Sequence, residues 1–147
     1  MTNEAGRERR RRTFESAAAR YQRARPEYPA ALYEDLLAVT ALPPGDRILE
    51  IGCGPGTIVP YLPKTEYVGF DVSQEYVDQA RGRFPDSKFV CDRVSEFTLP
   101  NREYFDIVLA LAILHHLDDT EALQLFRIAH GALRAGGKLV TLDGGVD

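Results

Sequence analysis

The sequence predicts an α/β fold, in which a mostly parallel five-stranded sheet is doubly wound and carries helices on both faces. Short apolar segments alternate along the chain with segments whose apolar residues recur at helical spacing. Such alternation is typical of a parallel sheet that is covered on both faces. Right-handed crossovers then give a doubly wound sheet, for which we expect the strand order 3-2-1-4-5.

The composition fits one globular domain of 147 residues, with 44% hydrophobic and 27% charged residues. A net charge of -4 argues against nucleic acid as the main partner. The exception is "RERRRR" (7–12), with five arginines in six positions. We expect residues 1–13 to form a disordered basic arm, although such an arm also suits nucleic acid or an acidic surface. No apolar run approaches the ~18 residues of a membrane span, so no membrane partner is expected.

The two cysteines, Cys53 and Cys91, form no metal-binding or disulfide pattern. Both lie near the ends of predicted strands, and one intervening strand would separate them by roughly 10 Å. A disulfide needs Cα atoms within about 7 Å. We therefore expect reduced cysteines, no metal site and a cytoplasmic protein.

The first elements are helical and lead to a buried strand. Pro26 and Pro29 divide the segment after the arm into two helical pieces, of which "AALYEDLLAVT" is the second. "RILEI" is a short buried strand, and "LPPGD" before it is a turn. The segment "TIVPYL" after the glycine-rich turn forms at most a short helix, because prolines limit its length.

Three further strands and two helices follow. "EYVGFD" is the second strand, and Ser73 caps the helix "QEYVDQARGRF". "SKFVCD" is the third strand, and "EYFDIVLALAIL" contains a fourth that is apolar enough to be buried on both faces.

The last predicted elements are an amphipathic helix and the fifth strand. Asp118, Asp119 or Thr120 is placed to cap the helix "DTEALQLFRIAHGAL". "RAGG" ends that helix, and "KLVTLD" is the fifth strand.

The strand ends predict one crevice. In an open α/β sheet, ligands bind outside the carboxyl ends of the strands, at the switch point beside the first strand. Glu50 and Gly52, Asp71, Asp92 and residues 111–116 all fall at such ends. Because four separate signals meet there, we expect a ligand site in this crevice.

The spacing around the glycine-rich turn favours a ribose and argues against a dinucleotide. The glycines follow the pattern GxGxG, whereas dinucleotide sites use GxGxxG and phosphate-binding loops need a later Gly-Lys pair. Asp71 lies 19 residues after Gly52, close to the ~20 expected of an acid that accepts from ribose hydroxyls. A negative charge on Glu50 would repel a pyrophosphate but suit an amine or a sulfonium. An adenosine that carries a cation therefore fits best.

Five motifs occur in the order seen in one enzyme family: "LEIGCGPGT", "VGFDVS", "FVCD", "FDIVLALAILHHL" and "LRAGGKLV". The chain resembles class I S-adenosylmethionine-dependent methyltransferases over residues 14–142, and "YQRARPEYP" resembles the N-terminal segment of small-molecule members. The resemblance implies a Rossmann-like fold and transfer of a methyl group from S-adenosylmethionine to a small-molecule acceptor, with S-adenosylhomocysteine as product.

The resemblance also implies roles for the residues around the glycine loop, which we define as residues 52–57. Gly52, Gly54 and Gly56, with Cys53 between them, would bring backbone against the methionine part of the cofactor. Glu50 would orient its amino group through water.

On the adenosine side, Asp71 would take the ribose hydroxyls. Asp92 would accept from the adenine amino group, and Val72 would pack on an adenine face. Leu111 would contact the methionyl chain.

Two residues of the N-terminal segment and one histidine complete the implied site. Tyr21 and Arg25 would close over the cofactor, with Arg25 pairing with its carboxylate. His115 is the candidate general base, because histidine in a crevice is suited to proton transfer near neutral pH. A cofactor-pocket or packing role is the default for His115, since the sulfonium already carries a good leaving group.

The family fold continues past the fifth strand, so the chain is expected to be a single domain, residues 14–147, truncated after that strand. An open fifth-strand edge would favour a homodimer. One alternative is a cofactor-binding fragment, or a truncated or recombined chain, without turnover. A second alternative is an NAD-binding oxidoreductase domain, against which the GxGxG spacing argues.

Overall fold

A computed structural model describes residues 4–9, 30–99 and 101–143. Its helices and strands, in chain order, are α1 (residues 4–9), α2 (Ala30–Thr40), β1 (Arg47–Ile51), β2 (Glu66–Asp71), α3 (Gln74–Arg83), β3 (Lys88–Cys91), β4 (Phe105–Leu111), α4 (Asp119–Ala132) and β5 (Leu133–Leu142). Short 3₁₀ turns cover Val59–Tyr61 and Leu114–His116.

The five strands form one parallel sheet in the order β3-β2-β1-β4-β5, which confirms the predicted topology. β1 lies in the centre, where Leu49 stands opposite Val68 of β2 and Val108 of β4. Because all strands run in the same direction, their carboxyl ends meet at one edge.

Both faces of the sheet are covered, as predicted. Leu49, Ile51 and Val108 point to the face on which α4 packs, while Ile48 and Ile107 point to the other face. Tyr33 of α2 and Val77 and Ala80 of α3 belong to this second cluster. The alternation along β1 therefore explains why "RILEI" has no polar face except at Glu50.

Side-chain caps fix the starts of α3 and α4. The Ser73 hydroxyl accepts from the Tyr76 N–H at 3.3 Å, which confirms the predicted cap. Asp118, one of three candidates, caps α4 by accepting from the Glu121 N–H at 2.8 Å. Each cap satisfies an N–H that has no partner within its helix.

The predicted start of the fifth strand is wrong. β5 begins at Leu133, directly after α4, and "RAGG" belongs to the strand. Phe105 pairs with Leu133 and Ile107 pairs with Lys138, so the extra residues form a bulge. A Cβ on Gly137 would lie 3.1 Å from the Asp106 carbonyl oxygen. Glycine therefore lets the bulged chain stay against β4 instead of only ending the helix.

The arm differs from the expected disorder where it is described. Residues 4–9 are helical, because Glu, Ala and Arg are good helix formers. The remaining arm residues, the Pro26–Pro29 kink, Tyr21 and Arg25 lie outside the described residues. Within the described ranges, no helix is long and apolar enough to cross a membrane.

A polar network joins the amino ends of the strands, opposite the predicted crevice. The Tyr104 hydroxyl donates to Glu66 at 2.6 Å, and the Arg47 guanidinium lies 4.1 Å from the centre of the Tyr104 ring. Asp106 accepts from the Arg47 N–H at 2.8 Å and pairs with Arg134, which holds the pKa of Asp106 below its usual value. These contacts tie β1, β2, β4 and β5 together away from the candidate site.

Candidate functional site

The predicted strand ends meet at the carboxyl edge of the sheet, around the loop that follows β1. The loop turns back under the end of β2, where the N–H groups of Gly52 and Cys53 donate to the Phe70 carbonyl oxygen at 2.9 and 3.0 Å. The parallel pairing of β1 with β2 thus brings the glycine loop beside Asp71.

Gly54 presents bare backbone to open space. Its φ of +55° lies in the left-handed region, which L side chains rarely adopt. A Cβ at this position would meet no atom within 4 Å. A ligand therefore has room to lie against the backbone at Gly54.

The other two loop glycines are needed for packing. A Cβ on Gly52 would lie 2.5 Å from the end of the Ile113 side chain, and one on Gly56 would lie 3.0 Å from the Phe84 ring. Both residues also have positive φ angles, of 74° and 80°. The sequence analysis gave all three glycines the same role, but only Gly54 faces open space.

The Asp71 carboxylate fixes the position of the glycine loop. One oxygen of its carboxylate accepts from the Gly54 N–H and the other from the Ser73 N–H, both at 2.9 Å. The residue is only 6% exposed. Asp71 therefore joins the glycine loop to the start of α3.

Glu50 is buried, which corrects the expected negative charge beside the loop. It is 3% exposed, and its carboxyl accepts from the Tyr67 hydroxyl at 2.5 Å. Burial raises the pKa of Glu50 to about 8, against a lowering by the Tyr67 hydrogen bond. At pH 7 the carboxyl group therefore holds its proton for most of the time.

A cleft opens beside Asp71, between the ends of β2 and β3. Its volume is about 160 Å³ and its lining consists of Val72, Cys91, Asp92, Arg93 and Glu96. The Asp92 carboxylate accepts from the Arg93 N–H at 2.9 Å, and the Arg93 side chain pairs with Glu96 at 2.6 Å. The structure thus brings Val72 and Asp92 together, as predicted.

The end of β4 forms the opposite wall. Leu111 is half-buried, and Ala112 after it has a φ of +56°, in the left-handed region. This backbone turn places Ile113 against Gly52. Strained non-glycine residues of this kind cluster at functional sites, and both Ala112 and Ile113 lie in the 111–116 region that the strand ends predicted for the crevice.

His115 lies beyond this turn and pairs with Asp143, which follows β5. Its Nδ1 is 3.1 Å from an Asp143 carboxylate oxygen, and its ring centre lies 4.0 Å from that of His116. Burial lowers the pKa of His116, and the neighbouring His115 lowers it further. The side chain of His115 is 43% exposed, so it is open to a molecule in the crevice.

The two cysteines are free, as predicted. Cys53 is buried in the loop, and burial raises the pKa of its thiol, which makes it a poor nucleophile. Across the described ranges, no cluster of His, Cys, Asp and Glu is arranged to hold a metal ion.

Tyr67 is the contact that the sequence analysis missed. Strand alternation places residues 67 and 69 on the same face of β2, and the register sets residue 69 opposite Glu50. The sequence signal for this contact is the Tyr67 hydroxyl, a polar group on a face of β2 that is otherwise apolar. Tyr21 and Arg25 lie outside the described residues.

Comparison with known proteins identifies the same region. A family model described as "Methyltransferase domain" matches residues 48–137. A trans-aconitate 2-methyltransferase of Variovorax paradoxus is 33% identical over 110 residues, which are 72% of this chain and 41% of that protein. The chain spans about half the length of the curated relatives it matches, or less.

Two solved structures share the fold. A TehB-like SAM-dependent methyltransferase of Corynebacterium glutamicum aligns with a TM-score of 0.68 at 23% identity, over 89% of this chain and 71% of that one. The [4+2]-cyclase SpnF aligns with a TM-score of 0.66 at 26% identity, over 76% of this chain and 43% of that one.

The different surroundings of Gly54 and Gly56 lead to a stability prediction. Alanine at either position should cost about 1–2 kcal/mol for the left-handed backbone. Gly56→Ala should cost more, because its methyl group also meets the Phe84 ring. Urea unfolding of both variants measures the difference, and equal losses would contradict the packing role of Gly56.

Proposed function

Because the chain belongs to the methyltransferase domain family that its residues 48–137 match, we propose that it binds S-adenosylmethionine in the crevice and transfers the methyl group to a small-molecule acceptor. The observation that carries this proposal is the hydrogen bond from the Gly54 N–H to the buried Asp71 carboxylate. This hydrogen bond joins the glycine loop, whose backbone is open at Gly54, to an acid. That acid lies 19 residues after Gly52, close to the offset expected of an acid that accepts from ribose hydroxyls.

The described residues fit the cofactor. Gly54 leaves room for its methionine part, with Gly52, Cys53 and Gly56 forming the rest of the loop. Asp71, at the end of β2 beside the loop, is assigned to the ribose hydroxyls. When bound, the cofactor supplies a methyl group on a sulfonium, which makes the thioether a good leaving group.

The cleft beside Asp71 is assigned to the adenine. Asp92 accepts from the adenine amino group, and Val72 packs on one face of the ring. Leu111 contacts the methionyl chain from the opposite wall, next to the turn at Ala112. Tyr21 and Arg25 lie outside the described residues, and their closing over the cofactor stays a prediction from the resemblance.

A small-molecule acceptor is favoured by the relative named as a trans-aconitate 2-methyltransferase. The acceptor would enter between the end of β4 and the crevice, where His115 is exposed. The main task of the protein is then to hold the acceptor in line with the methyl group.

His115 is proposed to remove the acceptor's proton where the acceptor is a weak acid. The Asp143 carboxylate, 3.1 Å from Nδ1, orients the ring and leaves Nε2 as the proton acceptor. His116 is the poorer base, since its pKa is lowered.

Binding without methyl transfer is the second candidate function. It is favoured by the likeness to a [4+2]-cyclase. The fold alone does not decide the reaction. Nothing in the geometry favours an NAD-dependent oxidoreductase over these two functions.

Removing the charge of Asp71 tests the cofactor assignment. Calorimetric titration should show that the chain binds S-adenosylmethionine and S-adenosylhomocysteine. Asp71→Asn should weaken both by about 1.5–3 kcal/mol, because it loses a charge-assisted hydrogen bond to the ribose. Asp86→Asn, in an exposed turn, is the matched control. A folded wild-type chain that binds neither ligand would refute the proposed function.

Turnover kinetics test the role of His115. With an acceptor found by screening, His115→Gln should lower kcat by about 100-fold or more. Asp143→Asn should also lower kcat, because the His115 ring loses the carboxylate that orients it. His116→Gln is the control and should change kcat little. An unchanged kcat in His115→Gln would leave this side chain a packing role only.

We further propose a cytoplasmic protein that self-associates through β5. Within the described residues, β5 pairs only with β4, and most of its residues are exposed or half-buried. An open strand edge offers unpaired N–H and C=O groups to a second copy. Light scattering at high micromolar concentration should detect dimers, and Val140→Lys should reduce them. A strict monomer would contradict this proposal.

A further inference from the structure

Glu50 and Tyr67 form a buried acid–phenol pair directly behind the glycine loop. Tyr67 is 5% exposed, Glu50 is 3% exposed, and the bond between them is 2.5 Å long. The two residues come from neighbouring strands, so the bond crosses between β1 and β2. The pair therefore lies in the sheet itself and not in a mobile surface loop.

Gly69 makes the pair possible. It stands opposite Glu50 in the register of β1 and β2 and on the same face as Tyr67. A Cβ on Gly69 would lie 2.6 Å from the Tyr67 hydroxyl oxygen and 2.8 Å from the Cys53 Cβ. The missing side chain thus leaves the space in which the Tyr67 hydroxyl reaches Glu50.

The surroundings of Glu50 set which group carries the proton. Burial raises the pKa of Glu50 to about 8, with the Tyr67 hydrogen bond lowering it and the Asp71 charge raising it. The pKa of Tyr67 is raised well above its usual value by burial and then by Glu50. Tyr67 therefore stays a donor throughout, and Glu50 is the group that titrates.

The other groups on this face do not supply a compensating cation. The titratable groups of the described residues that act on Glu50, or that lie in the cluster packed around it, are Tyr67 and Asp71 of β2, Cys53 of the loop, Tyr33 of α2, Tyr61 of the first 3₁₀ turn and Cys91 of β3. All of these are neutral or acidic. None of these described groups offers a positive charge to the Glu50 carboxylate, so a bound cationic amine would supply one.

We propose that Tyr67 is a positioning residue, which holds the Glu50 carboxyl behind the glycine loop so that binding of a cationic amine there releases the proton of Glu50. The inference rests on the proposed function, in which the ligand amine is that of S-adenosylmethionine or S-adenosylhomocysteine. An opposite charge close to a carboxyl group favours its ionised form. The Tyr67 hydroxyl favours the same form, so it lowers the cost of ionisation on binding.

The affinity for the ligand should increase with pH. Below pH 8 the ligand must displace a proton, so the affinity should rise by up to tenfold per pH unit as the pH increases toward 8 and then level off. Without the Tyr67 hydroxyl, the Glu50 pKa moves higher. Tyr67→Phe should then bind about tenfold more weakly at pH 7 and continue to gain affinity above pH 8.

Calorimetry with S-adenosylhomocysteine tests the coupling. Titrations of the full chain from pH 6 to pH 9, in two buffers of different ionisation enthalpy, count the protons released on binding. Because the ligand amine itself titrates, Glu50→Gln supplies the baseline. The wild type should release more protons than Glu50→Gln at pH 7, and Tyr67→Phe should extend this excess to higher pH.

Tyr104→Phe is the matched control. Tyr104 also donates to a glutamate, Glu66, at 2.6 Å, but at the opposite end of the strands. It should leave affinity and proton release unchanged. Gly69→Ala should act like Tyr67→Phe, since the new methyl group displaces the Tyr67 hydroxyl.

A measurement without ligand separates the two possible failures. Carboxyl-carbon NMR, with Glu50 assigned through Glu50→Gln, should show the Glu50 midpoint moving upward in Tyr67→Phe and not in Tyr104→Phe. If the wild type binds S-adenosylhomocysteine but Tyr67→Phe changes neither midpoint nor affinity, the role of Tyr67 is overturned and the proposed function stands. If the Glu50 titration midpoint moves in Tyr67→Phe but the wild type binds no cofactor, the proposed function is wrong. The proposed coupling between amine binding and proton release by Glu50 is then wrong as well.

Discussion

The crevice depends on one buried carboxylate, that of Asp71. It accepts from the Gly54 N–H in the loop after β1 and from the Ser73 N–H at the start of α3. Two segments that are distant in the chain, the glycine loop and the junction of β2 with α3, are therefore held together by two hydrogen bonds to one side chain. This arrangement requires that β1 and β2 be parallel neighbours, since only then does the loop from β1 emerge beside the end of β2.

The strands could be predicted because a parallel sheet buries both of its faces. Leu49 and Val108 point to one face and Ile48 to the other, and all three are fully buried, which leaves continuous apolar runs in the sequence. The start of β5 could not be predicted in this way. A glycine pair signals that a helix ends, but whether the next residues bulge against a strand depends on β4, which local sequence does not specify.

Site residues could be predicted where the strand order alone sets their position. They were missed where side-chain contacts between neighbouring strands set it. Asp71 and Asp92 follow from their places at strand ends. Tyr67 lies 17 positions from Glu50 in the chain, and only the β1–β2 register brings the two together. The loop glycines, likewise, look alike in sequence and differ in the structure because of Ile113 and Phe84.

The charge of the crevice bears on which ligand it selects. Glu50 and Asp71 lie close enough that the charge of Asp71 raises the pKa of Glu50. Negative charges on both Glu50 and Asp71 would repel a pyrophosphate. In the empty site Glu50 is protonated, so only the charge of Asp71 remains. The preference for a cation then arises from the response of the site: an amine lowers the pKa of Glu50 and creates its own counter-charge, whereas an anion keeps the proton in place. A dinucleotide would receive no such gain, so under the proposed coupling the buried Glu50 favours an adenosine ligand that carries a cation.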